Sequence, residues 1–247
     1  MNKYYYDLHI HSCLSPCGDD EMTPNNIAGL GVLNGLNIMA LTDHNTSKNC
    51  PAFFKAAKRN GIIPVAGMEL TTAEDIHVVC LFRDLDSAMD FDKFVDGHRI
   101  KYPNRTDIFG NQFILDENDE VIGTDDYFLP NATDISVEQV PKIIKGYCGF
   151  CYPAHIDREA NGIISILGDF PVNSGFTAAE FHDGENITKY NEMYPETRDK
   201  QIIVSSDAHY LWNIKDKKEY FLIDDEPYSS DLVRKRFFEI LEAIEII

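Results

Sequence analysis

Basic residues are scarce in this sequence. It has 22 lysines and arginines against 41 aspartates and glutamates, and its formal net charge at pH 7 is −19 over 247 residues. Proteins that bind an extended nucleic-acid backbone do so through clusters of lysine and arginine. The composition therefore disfavours long nucleic acid as a partner and leaves only short oligonucleotide ends open. Much of the acidity is expected on a solvated surface, where it favours solubility.

Long apolar runs are also absent. No stretch of 18 consecutive apolar residues occurs, so we expect no transmembrane helix and no membrane partner. Residues 1–7 lack the apolar segment of a signal peptide, and a cytoplasmic location follows as an expectation. The hydrophobic fraction of 44% is nevertheless ordinary for a globular core. The chain length suits a single domain over residues 1–247.

Cysteine is sparse, with six residues in the chain. Cys148 and Cys151 have CxxC spacing, but no second such pair is present to complete a zinc knuckle, and both lie in an apolar run. We therefore interpret them as buried strand residues rather than as redox or metal-binding groups. Cys13 and Cys17 lie in the first predicted loop, and we expect both to be reduced and without a role of their own.

Two histidine-containing pairs lie near the two ends of the chain. His9 and His11 follow a β-like run near the start, and Asp207 and His209 follow another near the end. Side chains two positions apart on a strand point to the same face, so each pair can offer two metal ligands to one point. Ligands that converge from both ends of a chain indicate a closed fold with a metal centre at one rim.

Four more potential ligands lie at the tips of predicted strands. His44, Glu69 and His155 each end an apolar run, and His77 begins one. A single histidine on a strand is usually a structural residue, but six at strand tips, together with two carboxylates, are hard to explain by packing. Imidazole and carboxylate ligands together suit Zn, Mn or Fe.

These residues lie within short motifs that resemble those of the PHP (polymerase and histidinol phosphatase) family, in the family's order. The motifs are Asp7-Leu8-His9-Ile10-His11-Ser12, Leu41-Thr42-Asp43-His44, Gly67-Met68-Glu69, Ile76-His77, Pro153-Ala154-His155 and Ser206-Asp207-Ala208-His209. Any one of them is a weak signal, whereas the ordered set is specific. The resemblance implies an α/β fold, a distorted seven-stranded (β/α) barrel, with a phosphoesterase site of two or three metals.

The spacing of the predicted elements adds two details to this fold. Only residues 70–76 separate Glu69 from His77, which is too short for a crossover between parallel strands, so the His77 strand is predicted to run antiparallel. An inserted β-hairpin is predicted around residues 110–124, within an irregular segment at 99–130. This insertion is either a lid that selects the substrate or a surface elaboration.

The resemblance also implies which side chains share a metal. It places His9, His11, Glu69 and Asp207 at one ion. It places His44, His209 and an acid of the first loop at a second, and His77, His155 and Glu69 at a third, with Glu69 as the bridge.

The first loop departs from the family pattern. The family often has Ser-Asp-Gly after the His-x-His motif, whereas this loop reads Ser15-Pro16-Cys17-Gly18-Asp19-Asp20-Glu21. Counting back from Thr23 and Pro24, which open the first helix, selects Asp19 as the loop ligand, with Asp20 as the fallback. Glu21 suits the start of the helix better, where a negative charge is favourable.

The function implied is hydrolysis of a small phosphate ester by metal-activated water. Two metals can hold the attacking and leaving oxygens together, and the pKa of a bound water falls to about 7. Asp207 and His209 are the candidates for proton transfer. Arg158 resembles the phosphate-binding arginine of the family and suits a bidentate phosphate contact, although a surface salt bridge is an equally good interpretation.

Other functions remain open at this stage. An exonuclease-like phosphodiesterase acting on short oligonucleotide ends would need a basic track, and the sequence offers little beyond Arg99, Lys101 and Arg105. A non-catalytic metal-binding accessory domain would be favoured by lost ligands, and none is obviously lost. A hydrolase of the amidohydrolase type would be expected to have a lysine at a strand tip, and none is found there. Protein partners are not predicted.

Overall fold

The computed structural model describes residues 1–243, in which helices and strands alternate. The strands are β1 (Asn2–Asp7), β2 (Ile38–Leu41), β3 (Ile63–Thr71), β4 (His77–Phe82), β5 (Phe113–Leu115), β6 (Val121–Thr124), β7 (Gly149–Pro153), β8 (Ala178–Phe181), β9 (Gln201–Val204) and β10 (Tyr220–Ile223). The helices are α1 (Pro24–Leu33), α2 (Cys50–Arg59), α3 (Leu85–His98), α4 (Thr106–Phe109), α5 (Val140–Gly146), α6 (Ile163–Leu167), α7 (Ile187–Met193) and α8 (Ser230–Glu242). The sequence after Ser230 predicts an amphipathic closing helix to Ile247, and the last part of that range, 244–247, lies outside the described residues.

The fold is a mixed α/β fold with a curled half-barrel sheet. Six strands follow the order β10-β1-β2-β3-β4-β7, and β8 and β9 form a separate parallel pair. Strands β1, β2 and β3 are parallel, whereas β10 and β4 run antiparallel to their neighbours. Residues 1–243 do not confirm a closed seven-stranded barrel, because the hydrogen-bonded ladder ends at β10 and β7. Within these residues, no helix is long and apolar enough to cross a membrane.

The antiparallel course predicted for the His77 strand is confirmed. Strand β4 pairs with β3 in a register that sets Thr71 opposite His77 and Glu69 opposite Val79. The start of β4 therefore lies at the same rim as the end of β3. This places His77, the first residue of its strand, beside Glu69, which lies near the end of its own.

Local capping signals in the sequence set the ends of the helices. Thr23 accepts a hydrogen bond from the backbone N–H of Asn26, and Pro24 occupies the first turn of α1, as predicted. Asp84 caps α3 in the same way through the N–H of Ser87. Both caps satisfy donors that the first turn of a helix leaves free.

The inner face of the sheet is apolar at one end and carries a potential metal ligand toward the rim at the other end. Strand β3 is buried along its whole length, and alternation puts Ile63, Val65 and Glu69 on one face. Ile63 and Val65 belong to a buried cluster that includes Phe237 and Phe238 of α8. Helix α8 thus covers one end of the inner face, and a carboxylate lies on the same face toward the other end.

The irregular segment between α3 and α5 contains a buried ion pair and is joined by it to the loop before α2. Strands β5 and β6 pair antiparallel within it. Just after β6, Asp125 accepts two hydrogen bonds from Arg99, at 3.0 and 3.1 Å, and one from Lys48 at 2.6 Å. Arg99 and Asp125 are each 8% exposed. The segment is therefore fixed to the loops that flank it.

The interpretation of the CxxC pair is half wrong. Cys151 is buried in β7 as predicted, but Cys148 is exposed and lies before the strand with a φ of 53°. Helix α5 ends at Gly146, so the chain turns at Cys148 before β7 begins at Gly149. The turn faces solvent and carries Cys148 with it.

Candidate metal centre

Eight of the nine predicted ligands converge at the rim, around the carboxylate of Glu69. Oε1 of Glu69 lies 2.9 Å from Nδ1 of His77 and 3.2 Å from Nε2 of His155. Oε2 lies 3.0 Å from Nδ1 of His44 and 3.3 Å from Nε2 of His11. Glu69 is 1% exposed, so its negative charge is removed from water and needs partners. Within residues 1–243 these partners are the imidazole nitrogens of the surrounding histidines.

A second group, formed by His9, His11, Glu69 and Asp207, brings four ligand atoms within 4.8 Å of one another. Nε2 of His9 and Nε2 of His11 are only 3.2 Å apart. Oδ1 of Asp207 lies 3.3 Å from the first and 3.2 Å from the second. Two imidazole nitrogens this close repel each other through their lone pairs unless a proton or a cation lies between them.

Two further groups of three ligands have His44 in common. One consists of His11, His44 and His209, and the other of His44, Glu69 and His77. The ring centroids of His11 and His209 are 4.2 Å apart, and those of His11 and His44 are 4.5 Å apart. His11 therefore takes part beside His44 and His209, where a loop carboxylate was expected.

Asp19, the predicted loop ligand, is not part of any of these groups within residues 1–243. Its Oδ1 accepts a hydrogen bond from the backbone N–H of Glu21 at 2.8 Å. Its own backbone N–H donates to the carbonyl of His209 at 2.9 Å, so the loop does reach the rim. Asp20, the fallback, is exposed. The rim residue of this loop is instead Cys17, which lines the same cleft as His44, Glu69 and His209.

Arg158 lies at the site and not on a remote surface. Its guanidinium forms a salt bridge with the carboxylate of Asp207 and also lies 3.0 Å from His182. Its side chain is 37% exposed and lines the cleft that contains the ligands. The basic group can therefore reach an anion bound at the cluster.

Glu180 contacts the predicted ligands, and the sequence motifs did not single it out. It is fully buried, and its Oε1 accepts a hydrogen bond from Nδ1 of His9 at 2.8 Å and from the backbone N–H of His155 at 3.1 Å. The contact fixes the tautomer of His9 and leaves Nε2 free to bind a metal. The available signal was a lone carboxylate between Ala179 and Phe181 in a run that otherwise reads as a buried strand.

His11 is oriented by a chain of hydrogen bonds from Asp43. Nδ1 of His11 lies 3.0 Å from Oγ of Ser15, and that hydroxyl donates to Oδ1 of Asp43 at 2.7 Å. Because the hydroxyl proton is used on Asp43, the oxygen accepts from Nδ1–H of His11. Nε2 of His11 is thereby left for a metal. Asp43 is itself held by Ser12, whose backbone N–H and hydroxyl each donate to it at 2.7 Å.

Two of the ligands have backbone conformations that are rare for residues other than glycine. His155 has a φ of 27° and Asp207 has a φ of 50°. Such conformations cost about 1–3 kcal/mol each and persist where the surrounding structure enforces them, often at functional sites. The strain directs each side chain to the rim at the point where its strand ends.

The buried charges shift the pKa values of the cluster in opposite directions. Burial alone lowers the pKa of His9, but the carboxylates of Glu180, Glu69 and Asp207 raise it well above its usual value. Burial raises the pKa of Glu69, and the imidazoles of His77, His9 and His44 lower it well below its usual value. Burial likewise raises the pKa of Asp207, and the imidazoles of His9 and His11 lower it well below its usual value. The carboxylates of Glu69 and Asp207 are therefore ionised and ready to bind a cation.

His209 behaves differently from the other histidines. Burial, together with the positive charge of His11, lowers the pKa of His209 to about 3. Its Nδ1–H donates to the carbonyl of Asp207 at 2.9 Å, so Nε2 carries a free lone pair. His209 is thus a neutral ring that can bind a metal or accept a proton.

The donor set fits divalent metal ions. Three buried atoms that face the cluster, Oε2 of Glu69, Oδ1 of Asp207 and Nδ1 of His44, have no hydrogen-bond partner. The contact of 3.0 Å between His44 and Glu69 is short, but its direction does not suit a hydrogen bond. Buried polar atoms are normally paired, so three unpaired atoms that face one another fit a site for a cation. Imidazole and carboxylate ligands suit Zn, Mn or Fe.

A pocket of about 420 Å³ adjoins the cluster. His44 and His77 lie at its base, and Phe109, Phe128 and Pro130 of the segment between α3 and α5 form its wall. The centroids of the two aromatic rings are 4.3 Å apart, and the rings are tilted by 37° to each other. The segment therefore faces the site.

Comparison with known proteins identifies the class. The profile of the PHP domain matches residues 7–129. A 5'-3' exoribonuclease of Haemophilus influenzae is 31% identical over 135 residues, which make up 52% of this chain and 43% of that protein. The chain thus spans less than half the length of this curated relative.

Solved structures share the fold. One is a protein from Bifidobacterium adolescentis described as a metal-dependent phosphoesterase, with a TM-score of 0.59, 15% identity, and coverage of 99% of this chain and 97% of that one. Another is the lesion-specific endonuclease PfuEndoQ from Pyrococcus furiosus, with a TM-score of 0.58, 17% identity, and coverage of 85% of this chain and 49% of that one.

The matched domain and the cluster of ligands point to a hydrolase. The chain belongs to the PHP family.

Proposed function

We propose that the protein is a metal-dependent phosphoesterase that hydrolyses a small phosphate ester. The observation that carries the proposal is the convergence of six histidines on Glu69 and Asp207 at one rim of a PHP domain. Binding modules seldom bury two ionised carboxylates among so many imidazoles, because desolvation of the charges is costly. A hydrolytic site that must hold several cations has a use for them.

Two or three ions of Zn, Mn or Fe would be held by the cluster. His9, His11 and Asp207 would hold one, His44 and His209 a second, and His77 and His155 a third, with Glu69 shared. Bound cations would supply Lewis-acid activation of water and of the phosphoryl oxygens.

The side chains around the cluster take the other roles. The guanidinium of Arg158 would hold a phosphate oxygen through its planar donors, within reach of the ligands it already contacts. Nε2 of His209 is unprotonated at neutral pH and its Nδ1–H is engaged, so this ring would bind the second ion or, where only the other ions are bound, take part in proton transfer. Asp207 would stabilise the proton that His209 takes up, because its carbonyl already accepts that ring's Nδ1–H.

The pocket favours a compact substrate. Its wall of Phe109 and Phe128 suits a planar or apolar leaving group. The three basic residues named above as a candidate nucleic-acid track are paired with acids: Arg99 with Asp125, Lys101 with Asp96, and Arg105 with Asp107. With the net charge of −19, this pairing leaves little to bind a long phosphate backbone.

An exonuclease-like activity on short oligonucleotide ends is the second candidate. The likeness to an exoribonuclease over half of this chain favours it. The end of an oligonucleotide is itself a compact phosphate ester, so one site could serve both substrates. A non-catalytic accessory role is disfavoured, because eight of the nine predicted ligands lie close together at the rim.

The test is a screen of the protein loaded with Zn, Mn or Fe. The substrates would be phosphomonoesters, cyclic nucleotides, nucleoside bisphosphates and short single-stranded RNA. We expect turnover of at least one compact ester, and no turnover by Glu69→Gln. Activity that survives in Glu69→Gln, or preference for long RNA over every mononucleotide and sugar phosphate, would contradict the proposal.

A further inference from the structure

The first loop carries a feature that neither the family match nor the cluster explains. Where Ser-Asp-Gly was expected, the sequence has Ser15-Pro16-Cys17-Gly18, so a cysteine precedes the glycine in place of the aspartate. Asp19 and Cys17 both lie outside the ligand groups of residues 1–243, but Cys17 lines the cleft, whereas the carboxylate of Asp19 accepts the N–H of Glu21. The loop brings a thiol to the rim and keeps its nearest carboxylate outside the cluster.

The position of Cys17 is fixed by two consecutive turns. The N–H of Ser15 donates to the carbonyl of Ser12 at 3.1 Å, and the N–H of Gly18 donates to the carbonyl of Ser15 at 2.8 Å. A Cβ atom on Gly18 would lie 2.6 Å from the carbonyl oxygen of Ser12, which is too close for any other residue. Cys17 is therefore held in place between Pro16 and a required glycine.

Cys17 faces the side of the cluster that has no carboxylate of its own. It lines the cleft together with His44 and His209. Cys17 also lines the adjoining pocket together with His44 and His77. Cys17 is exposed and has no disulfide partner, so its sulfur is accessible to an ion from solvent.

The side chain of His44 independently indicates that this part of the cluster binds an ion. It is only 5% exposed and lines the cleft, and its Nδ1 forms no hydrogen bond despite the nearby Oε2 of Glu69. The group of His11, His44 and His209 offers three neutral nitrogens when unprotonated. A divalent cation in such a set gains from an anionic ligand, and thiolate favours Zn and Fe over Mn.

We propose that Cys17 supplies a thiolate ligand to the ion held by His44 and His209, in place of the loop carboxylate expected for the family. On binding, the S–H bond breaks, a sulfur–metal bond forms and the proton leaves to solvent. The consequence is a site biased toward softer ions. The inference rests on the metal centre of the proposed function but not on its substrate.

Cobalt(II) tests the ligand directly, because a thiolate bound to cobalt gives an intense near-ultraviolet charge-transfer band that nitrogen and oxygen ligands do not give. The protein of residues 1–247 is titrated with cobalt alongside three variants. Cys17→Ser removes the thiolate, Cys17→Asp restores the expected carboxylate, and Cys148→Ser is the control at the other exposed cysteine. Zinc content after dialysis is measured for the same four proteins.

We expect the band in the wild-type protein and in Cys148→Ser, and its loss in both Cys17 variants. Cys17→Ser should lose one zinc equivalent, and Cys17→Asp should regain it without the band. Cobalt binding without the band in the wild-type protein, or a band unchanged in Cys17→Ser, would overturn the role of Cys17 alone. Absence of any metal binding would overturn the metal centre of the proposed function as well.

Discussion

A single hydrogen bond to Nδ1 sets the ring orientation of three histidines in the cluster. Glu180 does so for His9, and Ser15 does so for His11. A backbone carbonyl does so for His209. Because Nδ1 is engaged in each case, Nε2 is the atom left for a metal. The hydrogen-bond partners of these rings are not metal ligands themselves, but they determine which ring nitrogen can bind a metal.

Glu180→Gln is expected to weaken zinc binding about tenfold while leaving the fold intact. The substitution keeps the shape of the side chain and removes the charge that holds His9 in its tautomer, and such changes typically cost 10–100-fold in metal affinity. The measurement is zinc affinity by competition with a chelator. Glu192→Gln, at an exposed position, is the control and should bind as the wild type does. Equal affinity in Glu180→Gln would show that the contact is only structural.

Arg158→Ala is expected to raise KM for the phosphate ester about 10- to 100-fold, the effect of losing a charged hydrogen bond of about 1.5–3 kcal/mol. Metal content should stay unchanged. Arg158→Lys should recover part of the loss, since it keeps the charge but not the planar donors. If Arg158 serves only to hold Asp207, metal content would fall and KM at full metal loading would not change.

At the level of secondary structure elements, the segment between α3 and α5 brings the wall of the pocket to the cluster. Lys48, which precedes α2, and Arg99, which follows α3, both bind Asp125 of this segment. Asn45, next to the ligand His44, donates to the carbonyl of Leu129 at 2.7 Å. The wall is thus tied both to the scaffold and to the site.

Asp125→Asn is expected to destabilise the protein by roughly 2 kcal/mol at pH 7. Burial raises the pKa of Asp125, but the hydrogen bonds from Arg99 and Lys48 outweigh this effect and lower the pKa to about 2. The unfolded carboxyl titrates near 3.9, so the stabilisation is complete above about pH 4 and is lost as the pH falls from 4 to 2. Urea unfolding of both proteins at several pH values would show the difference shrinking in that window. Asp126→Asn, at an exposed neighbour, should show no such difference.

Phe128→Ala is expected to raise KM for an ester with a planar leaving group, such as p-nitrophenyl phosphate, about three- to tenfold. The ring forms part of the pocket wall with Phe109, and an aromatic contact contributes about 0.5–1.5 kcal/mol beyond area burial. Glycerol phosphate, which has no planar group, should be affected less. Tyr102→Ala is an exposed aromatic control. Equal loss for both substrates would argue against a binding role for the wall.

At the level of the whole molecule, the charge of −19 separates compact from extended substrates. The metal centre reverses the field locally, but a long polyanion must also lie along acidic surface. Cleavage of a long single-stranded RNA should therefore be slow at low salt and should rise with added salt, which screens the repulsion. Cleavage rates measured between about 0.01 and 0.5 M salt would test this, because the Debye length shortens several-fold over that range. A fall with salt would instead indicate a basic binding track.

The sequence by itself determined the features that depend on short-range chemistry. Capping by Thr23 and Asp84 and the antiparallel course of β4 follow from local hydrogen bonds and from the length of the connection. The positions of potential ligands at strand tips follow from alternation and from the points where apolar runs stop. These signals need only a few neighbouring residues, so they can be read before the fold is known.

Only the tertiary structure decided which distant groups meet. Glu180 reaches His9 from a strand 171 positions away, and Arg99 is buried on Asp125 instead of forming a basic surface. The loop places Cys17 at the rim and leaves Asp19 outside the ligand groups. Burial and pairing of charges depend on how remote elements pack, because the cost of desolvating a charge is offset only by a partner that the fold supplies.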